Sequence, residues 1–333
     1  AVVGAGAWGT TFATLLVRTG IPTLMWARRA EIAAEINAGT NERYLRGVSL
    51  PRGLGATTSL DEALGGADLV VVAVPVKAVR ATLSAARESF APDVALLSLA
   101  KGLELGSLKR VDEIIAEASG VPSSRIAVLS GPNLSREIAE RQPTATVVAA
   151  TDVELAKEIA KACHNSYFRP YVSTDVVGTE MAGATKNVIA VAIGAAEGMG
   201  LGINTRSTLI TRGLAEMTRL GTALGADPAT FAGLSGIGDL VATCSSRLSR
   251  NFSLGHRLGS GMGLAEALAL SPGVVEGVAS ASPILQVAAS VGVDMPITGA
   301  VVEVVEGRAS IEDMGRMLLA RPQKMDGWKI ELV

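Results

Sequence analysis

Short apolar runs rich in β-branched residues alternate with Ala-rich amphipathic stretches through the first half of the chain. The runs fall at 1–3, 23–26, 69–74, 94–99, 126–129 and 144–149. Between them, segments such as 10–19, 77–88 and 108–118 carry apolar residues at helical spacing. This alternation predicts an α/β fold, a Rossmann-type doubly wound sheet that is mostly parallel with helices on both faces. After Tyr171 the strand signals stop. From Thr179 onward the pattern predicts helices at 181–197, 208–224, 240–243, 252–258, 279–290 and 300–305, separated by Gly-rich turns. A boundary near Ser173 follows, with a dinucleotide-binding domain over 1–173 and an all-α substrate domain over 174–333. No fixed-period repeat or low-complexity linker separates them, so the halves are expected to pack directly on each other.

Length agrees with this division, because 333 residues suit two domains that each bury a core. The chain is 48% hydrophobic but only 3% aromatic, so the core must be built from Ala, Val, Leu and Ile. Thirty basic and 32 acidic residues are mixed along the chain and leave a net charge of -2. No basic block is present to hold a nucleic acid or an anionic membrane, so nucleic acid is excluded as a partner. Two cysteines, Cys163 and Cys244, make no disulfide framework, and with only two histidines they leave too few ligands for zinc. A reducing, cytoplasmic setting is expected. The apolar run at 69–74 falls short of the ~18 to 20 residues of a membrane span, so none is expected. The opening Ala1-Val2-Val3 reaches a glycine turn at once, so the first strand is expected to lack its start, and no signal peptide is visible.

Gly4-Ala5-Gly6-Ala7-Trp8-Gly9 stands between the first strand and the first helix. In that context the first glycine permits a tight turn, the second lets backbone approach a pyrophosphate, and the third lets helix and strand pack closely. The helix N-terminus adds free N–H groups and partial positive charge. A nicotinamide dinucleotide is the expected cofactor. The second strand ends at Trp26-Ala27-Arg28-Arg29, without the acidic residue that would bind the ribose hydroxyls of NAD. Arg28 and Arg29 suit a 2′-phosphate, or they form a solvated pair; the pattern allows both.

Ligands of open α/β sheets sit beyond the carboxyl ends of the strands. Pro75, Lys101-Gly102 and Gly131-Pro132-Asn133 follow predicted strands there. Lys101 either meets a substrate oxygen or is a solvated loop lysine. Lys186 and Asn187 interrupt a helix that is otherwise apolar nearly all round, with Ala182 and Gly183 one turn earlier leaving room beside them. A lysine buried there needs a partner or a lowered pKa, and either suits a proton donor to a developing alkoxide. The competing reading is a lysine whose tip snorkels to the surface. Asp239, in Gly236-Ile237-Gly238-Asp239-Leu240, is either a helix N-cap or the carboxylate that orients Lys186. In the cluster 243–252, an arginine with small polar side chains at a helix start makes an anion site. No Tyr-x-x-x-Lys pair exists, so a short-chain dehydrogenase is excluded. His164 and His256 stand in no setting that suggests a general acid.

Taken in order, these segments resemble the NAD(P)-dependent glycerol-3-phosphate dehydrogenase family in its bacterial form. The resemblance spans essentially the whole chain and is carried by Gly4-Ala5-Gly6-Ala7-Trp8-Gly9-Thr10, Trp26-Ala27-Arg28, Asn41-Glu42-Arg43-Tyr44-Leu45, Val72-Ala73-Val74-Pro75 and Lys101-Gly102-Leu103-Glu104. It continues through Ser130-Gly131-Pro132-Asn133, Lys186-Asn187, Gly202-Ile203-Asn204-Thr205, Gly236-Ile237-Gly238-Asp239-Leu240, Ser249-Arg250-Asn251 and Val275-Glu276-Gly277. The resemblance implies that NADPH or NADH reduces dihydroxyacetone phosphate reversibly to sn-glycerol 3-phosphate, for glycerophospholipid synthesis, in a homodimer. It implies Lys186 as the catalytic lysine, with Asp239 and Asn187 beside it and Lys101 near the substrate carbonyl and cofactor. Arg250 and Asn251 take the phosphate, with Ser249 and Thr243 nearby, while Gly131 and Asn133 line the substrate side. Gly4, Gly6, Ala7, Trp8, Gly9, Arg28, Arg29, Lys101, Ser135, Arg250, Val274 and Glu276 fall on the cofactor side. The family's usual Phe-Ala after the Gly-Pro-Asn turn is replaced by Leu134-Ser135.

Overall fold

The structure is a computed structural model that describes residues 1–271 and 273–320. Eight strands form one sheet: β1 (Val2–Val3), β2 (Thr23–Trp26), β3 (Leu54–Thr57), β4 (Leu69–Val72), β5 (Ala95–Ser98), β6 (Ile126–Ser130), β7 (Thr144–Ala150) and β8 (Phe168–Ser173). Their order is β3-β2-β1-β4-β5-β6-β7-β8. The first six are parallel, β7 is antiparallel to β6, and β8 is parallel to β7. Chain order reverses at β1, which pairs with β2 on one side and β4 on the other. Such a switch point opens a crevice at the carboxyl ends of the strands.

Two strands escape the sequence pattern. The Leu-Gly-Ala-Thr of β3 has too few apolar residues to register. The second is β8, which runs on past Tyr171 to Ser173 and contains Pro170. At the edge of the sheet a missing N–H costs little, so proline is tolerated there. Two packed layers cover the sheet. One face buries Phe12, Leu16, Met25, Leu97, Leu129 and Phe168. The other buries Val70, Val72, Val79, Leu96 and Ile114.

Beyond Ser173 every element among the described residues is helical. Helix Val176–Gly198 is the axis of this half, with all but the ends of its sequence buried. It is long and apolar enough to cross a membrane by length and composition, but 94% of the relevant window is buried inside the protein, which makes it a core helix. Lys186 and Asn187 break its apolar run, so a search for unbroken apolar residues passes over it. The helix packs backbone to backbone against Arg250–Gly259. A Cβ on Gly194 would lie 2.1 Å from the Phe252 carbonyl oxygen, and one on Gly255 would lie 2.0 Å from that of Val191. This close crossing carries Asn251 to Asn187. Leu103, from the loop after β5, is buried in the helical core, so the two halves pack directly on each other as expected.

Candidate active site

The glycine turn has the geometry its spacing calls for. Gly4 has φ +121°, and a Cβ there would lie 2.7 Å from the Ala73 carbonyl oxygen. A Cβ on Gly9 would sit 2.1 Å from the Gly4 carbonyl oxygen. Gly6, between them, faces open space, with nothing within 4 Å of such an atom. Two glycines are therefore needed for packing and the middle one for access. Gly6 caps helix Ala7–Arg18, whose first turn has no acidic residue and no side-chain cap, so its N–H groups are left for an anion. Trp8 packs edge-on against Phe12, and its buried Nε1 has no partner among the described residues. The Thr11 hydroxyl donates to the Ser135 carbonyl, which places Ser135 beside this helix start. A dinucleotide pyrophosphate fits this turn: the cradle is open where a Cβ would block it and lined by unpaired donors.

At the end of β2 the two arginines part company. Arg29 donates to the Tyr44 hydroxyl at 2.8 Å, lies over that ring, and pairs with Glu31. Arg28 is exposed and makes no ion pair among the described residues. Arg43 approaches the Tyr44 ring as well. Tyr44 is a residue that the spacing argument passed over, because a lone aromatic in a polar loop carries no signal until its neighbours are known.

Lys101, Lys186, Asp239 and Thr243 converge at the boundary of the two halves. Lys186, 6% exposed, donates to Asp239 Oδ1 and to Thr243 Oγ1, both at 2.6 Å. Lys101 donates to the other carboxylate oxygen, Oδ2, at 2.6 Å, and to the Gly131 carbonyl at 3.2 Å. Asp239 is 1% exposed. It is the first residue of helix Asp239–Ser245 and Gly238 is its N-cap, so the capping reading of Asp239 fails. The snorkelling reading of Lys186 fails with it. Asp239 and Thr243 are four residues apart and share one helix face, which lets the Thr243 hydroxyl also reach Asp239 Oδ1 at 3.3 Å.

Burial lowers the Lys186 pKa to about 8; Asp239 opposes the shift and the neighbouring Lys101 adds to it. An ammonium has three N–H donors. Two of those on Lys186 are spent on the protein, which leaves one for a substrate oxygen. Gly183 is a turn away, and a Cβ on it would come within 2.8 Å of the Ser130 hydroxyl and 3.4 Å of the Lys101 chain. Small residues there keep the space beside both lysines clear.

The remaining polar groups extend the site toward the second anion position. Asn187 donates at 3.4 Å to Glu276, and its carbonyl oxygen accepts from Asn251 at 2.9 Å. Asn251 in turn accepts from the Gly277 N–H at 2.8 Å, leaving one amide N–H. Burial raises the Glu276 pKa, and the charges of Arg250, Lys101 and Lys186 oppose that shift, so Glu276 sits within the field of all three cations. Val274, half-buried, stands two residues before Glu276. Ser249 caps helix Arg250–Gly259 by accepting from the Phe252 N–H at 3.2 Å. Arg250 is exposed at that helix start and forms no ion pair among the described residues. Asn133 donates to Thr146, and its buried Oδ1 has no partner among the described residues. Of the residues expected from the sequence, hydrogen bonds join Lys101, Gly131, Lys186, Asp239 and Thr243 in one group and Asn187, Asn251 and Glu276 in another. Among the described residues no hydrogen bond ties Arg28, Val274 or Arg250 to either group.

Comparison with known proteins covers both halves of the chain. Residues 1–156 match the family described as NAD-dependent glycerol-3-phosphate dehydrogenase N-terminus, and 175–316 match its C-terminus counterpart. A Streptomyces griseus glycerol-3-phosphate dehydrogenase of the NAD(P)+ type is 52% identical, covering 97% of this chain and 98% of its own. Its Corynebacterium diphtheriae counterpart is 53% identical, covering 98% and 99%. The crystal structure of glycerol-3-phosphate dehydrogenase from Coxiella burnetii superimposes with a TM-score of 0.92 at 32% identity, over 96% of this chain and 98% of that one.

Proposed function

The chain belongs to the NAD-dependent glycerol-3-phosphate dehydrogenase family, and from that premise we propose how its own residues carry out the reaction. The reaction is reversible reduction of dihydroxyacetone phosphate to sn-glycerol 3-phosphate with NADPH or NADH, a source of the glycerophosphate backbone of lipids. The observation that carries this reading is the buried Lys186–Asp239–Lys101 network, in a protein that also offers an open dinucleotide cradle and a helix start whose arginine forms no ion pair among the described residues.

When bound, the cofactor supplies a hydride from its nicotinamide ring. Residues 1–173 hold it, and 174–333 supply the acid and the phosphate clamp; of the latter, 272 and 321–333 lie outside the described residues. Lys186 points its free N–H at the C2 carbonyl oxygen and gives up that proton as negative charge grows there. A pKa of about 8 leaves the lysine mostly protonated at neutral pH yet able to release its proton. Asp239 holds both lysines in place and offsets their mutual repulsion. Lys101 places a second positive charge beside the same oxygen, where a water-poor site makes it count. Arg250 and the N–H groups at the start of its helix take the phosphate. Arg28 is placed for the 2′-phosphate of NADPH. The protein works in the cytoplasm as a homodimer, a setting that suits its two buried, unpaired cysteines.

The direct test is the absorbance of NADPH with three ketones. Dihydroxyacetone phosphate should be consumed rapidly, while free dihydroxyacetone and a 2-oxo acid should not. Equal rates with the phosphorylated and free ketones, or preference for the oxo acid, would overturn the assignment.

A further inference from the structure

Asn41 has no role in the site described above and lies on the loop between helix Ala30–Asn37 and β3. It is fully buried. Its amide donates to the Ala5 carbonyl at 3.1 Å and to the Thr10 hydroxyl at 2.8 Å, two groups on either side of the Gly6 cradle. Its own carbonyl accepts from the Tyr44 and Leu45 N–H groups, which ties the loop to itself. Leu45 and Val48 then bury themselves with Ala139 against Ala7, the first residue of the helix that follows the glycine turn. The asparagine is therefore held rigidly by its surroundings.

The bond to Ala5 has a geometric consequence. A trans peptide is planar, with its C=O and N–H pointing in opposite directions. Fixing the Ala5 carbonyl toward Asn41 turns the Gly6 N–H away from Asn41. That N–H makes no hydrogen bond among the described residues, and the space over Gly6 is empty. Without the Asn41 amide, a peptide that turns about Ala5 ψ and Gly6 φ, with no Cβ on the Gly6 side, has little to stop it rotating. It could then present a carbonyl oxygen, rather than an N–H, to an anion.

We propose that Asn41 is a positioning residue for the cofactor: it locks the Ala5–Gly6 peptide so that the Gly6 N–H faces a pyrophosphate oxygen. The proposal rests on the dehydrogenase reading. Pyrophosphate is common to NADPH and NADH, so affinity for both depends on Asn41 equally. This separates it from Arg28, whose effect falls on one cofactor. Chemistry at Lys186 is untouched, because Asn41 meets neither the substrate nor the network around Asp239.

The test is Asn41→Ala, with Asn41→Asp as a variant of the same shape that lacks the amide donors. KM for both cofactors should rise about tenfold, the scale of one to two lost hydrogen bonds. Turnover at saturating cofactor and KM for the ketone should stay near the parent's. Misfolding would instead lower turnover and leave KM alone, and that outcome in both variants would overturn the proposal. So would cofactor KM unchanged in both, or a rise confined to NADPH. If the parent protein itself fails to bind either dinucleotide in direct titration, the dehydrogenase reading falls first and this inference with it.

Discussion

Replacing Lys186 by methionine tests the proposed chemistry at its centre. Methionine keeps the length of the side chain and its apolar contacts while removing the three donors. The buried Asp239 carboxylate is not orphaned, because Lys101 still donates to Oδ2 at 2.6 Å and Thr243 remains beside Oδ1. The cost to folding therefore stays below the ~3 to 5 kcal/mol of breaking an isolated buried pair. Loss of a positioned general acid costs a factor of about 10² to 10⁴, so kcat should fall at least ~100-fold. Cofactor binding should survive, since the glycine turn shares no hydrogen bond with this network. The assay is steady-state consumption of NADPH with dihydroxyacetone phosphate, beside cofactor titration. Parental pH dependence supplies a second reading. With a pKa of about 8, Lys186 loses its proton as pH rises through that value. Ketone reduction should then fall above it, while alcohol oxidation, which needs the neutral amine, should rise. A Lys186→Met enzyme that keeps most of its turnover, with the same alkaline limb, would refute the reasoning.

Three further outcomes follow from the same structure. Arg250→Ala should raise KM for dihydroxyacetone phosphate and abolish its preference over free dihydroxyacetone; persistent discrimination in that comparison would move the phosphate elsewhere. Arg28→Asp should shift kcat/KM toward NADH, read with both cofactors at low and moderate salt; a parent that already strongly prefers NADH would show Arg28 to be merely solvated. Glu216 is 2% exposed, accepts from the Ile297 and Thr298 N–H groups, and is pushed by burial up to about 7. A folded-state value raised above the unfolded one gives stability that is complete at low pH and is lost as pH rises through 7. Glu216→Gln should remove this loss, which is on the order of 3 kcal/mol at most; melting curves of parent and variant that keep a constant separation from pH 5 to 8 would contradict it.

The alternation of strands and helices was legible because parallel strands buried on both faces read as unbroken apolar runs, as at β4 and β5. β3 was not, since Gly55 dilutes its pattern, and β8 was not, since Pro170 belongs to strands only at an edge. Lys186 could be found from the sequence because a charge inside an apolar helix is anomalous wherever it occurs. Its partner could not be chosen on the same ground. Asp239 stands 53 residues away and also had a capping reading, which only the backbone at Gly238 removed. Lys101 was harder still, because its reach to Asp239 spans 138 residues and depends on Leu103 anchoring the loop in the helical core. Arg28 and Arg29 were indistinguishable until the Tyr44 hydroxyl claimed one of them. Asn41 stood in the sequence only as part of the family resemblance, without a role, and Glu216 not at all, since polar residues that bind only backbone and neighbouring hydroxyls follow no spacing rule.

The central claim is that hydride reaches the C2 carbon of dihydroxyacetone phosphate while Lys186 supplies the proton to its oxygen. It is tested most directly with NADPH deuterated at the transferable nicotinamide position, with mass spectrometry of the product. The account predicts sn-glycerol 3-phosphate carrying one deuterium, at C2, formed by the parent enzyme and at least ~100-fold more slowly by Lys186→Met. Consumption of NADPH without deuterium at C2, or transfer at the parental rate by the variant, would contradict it.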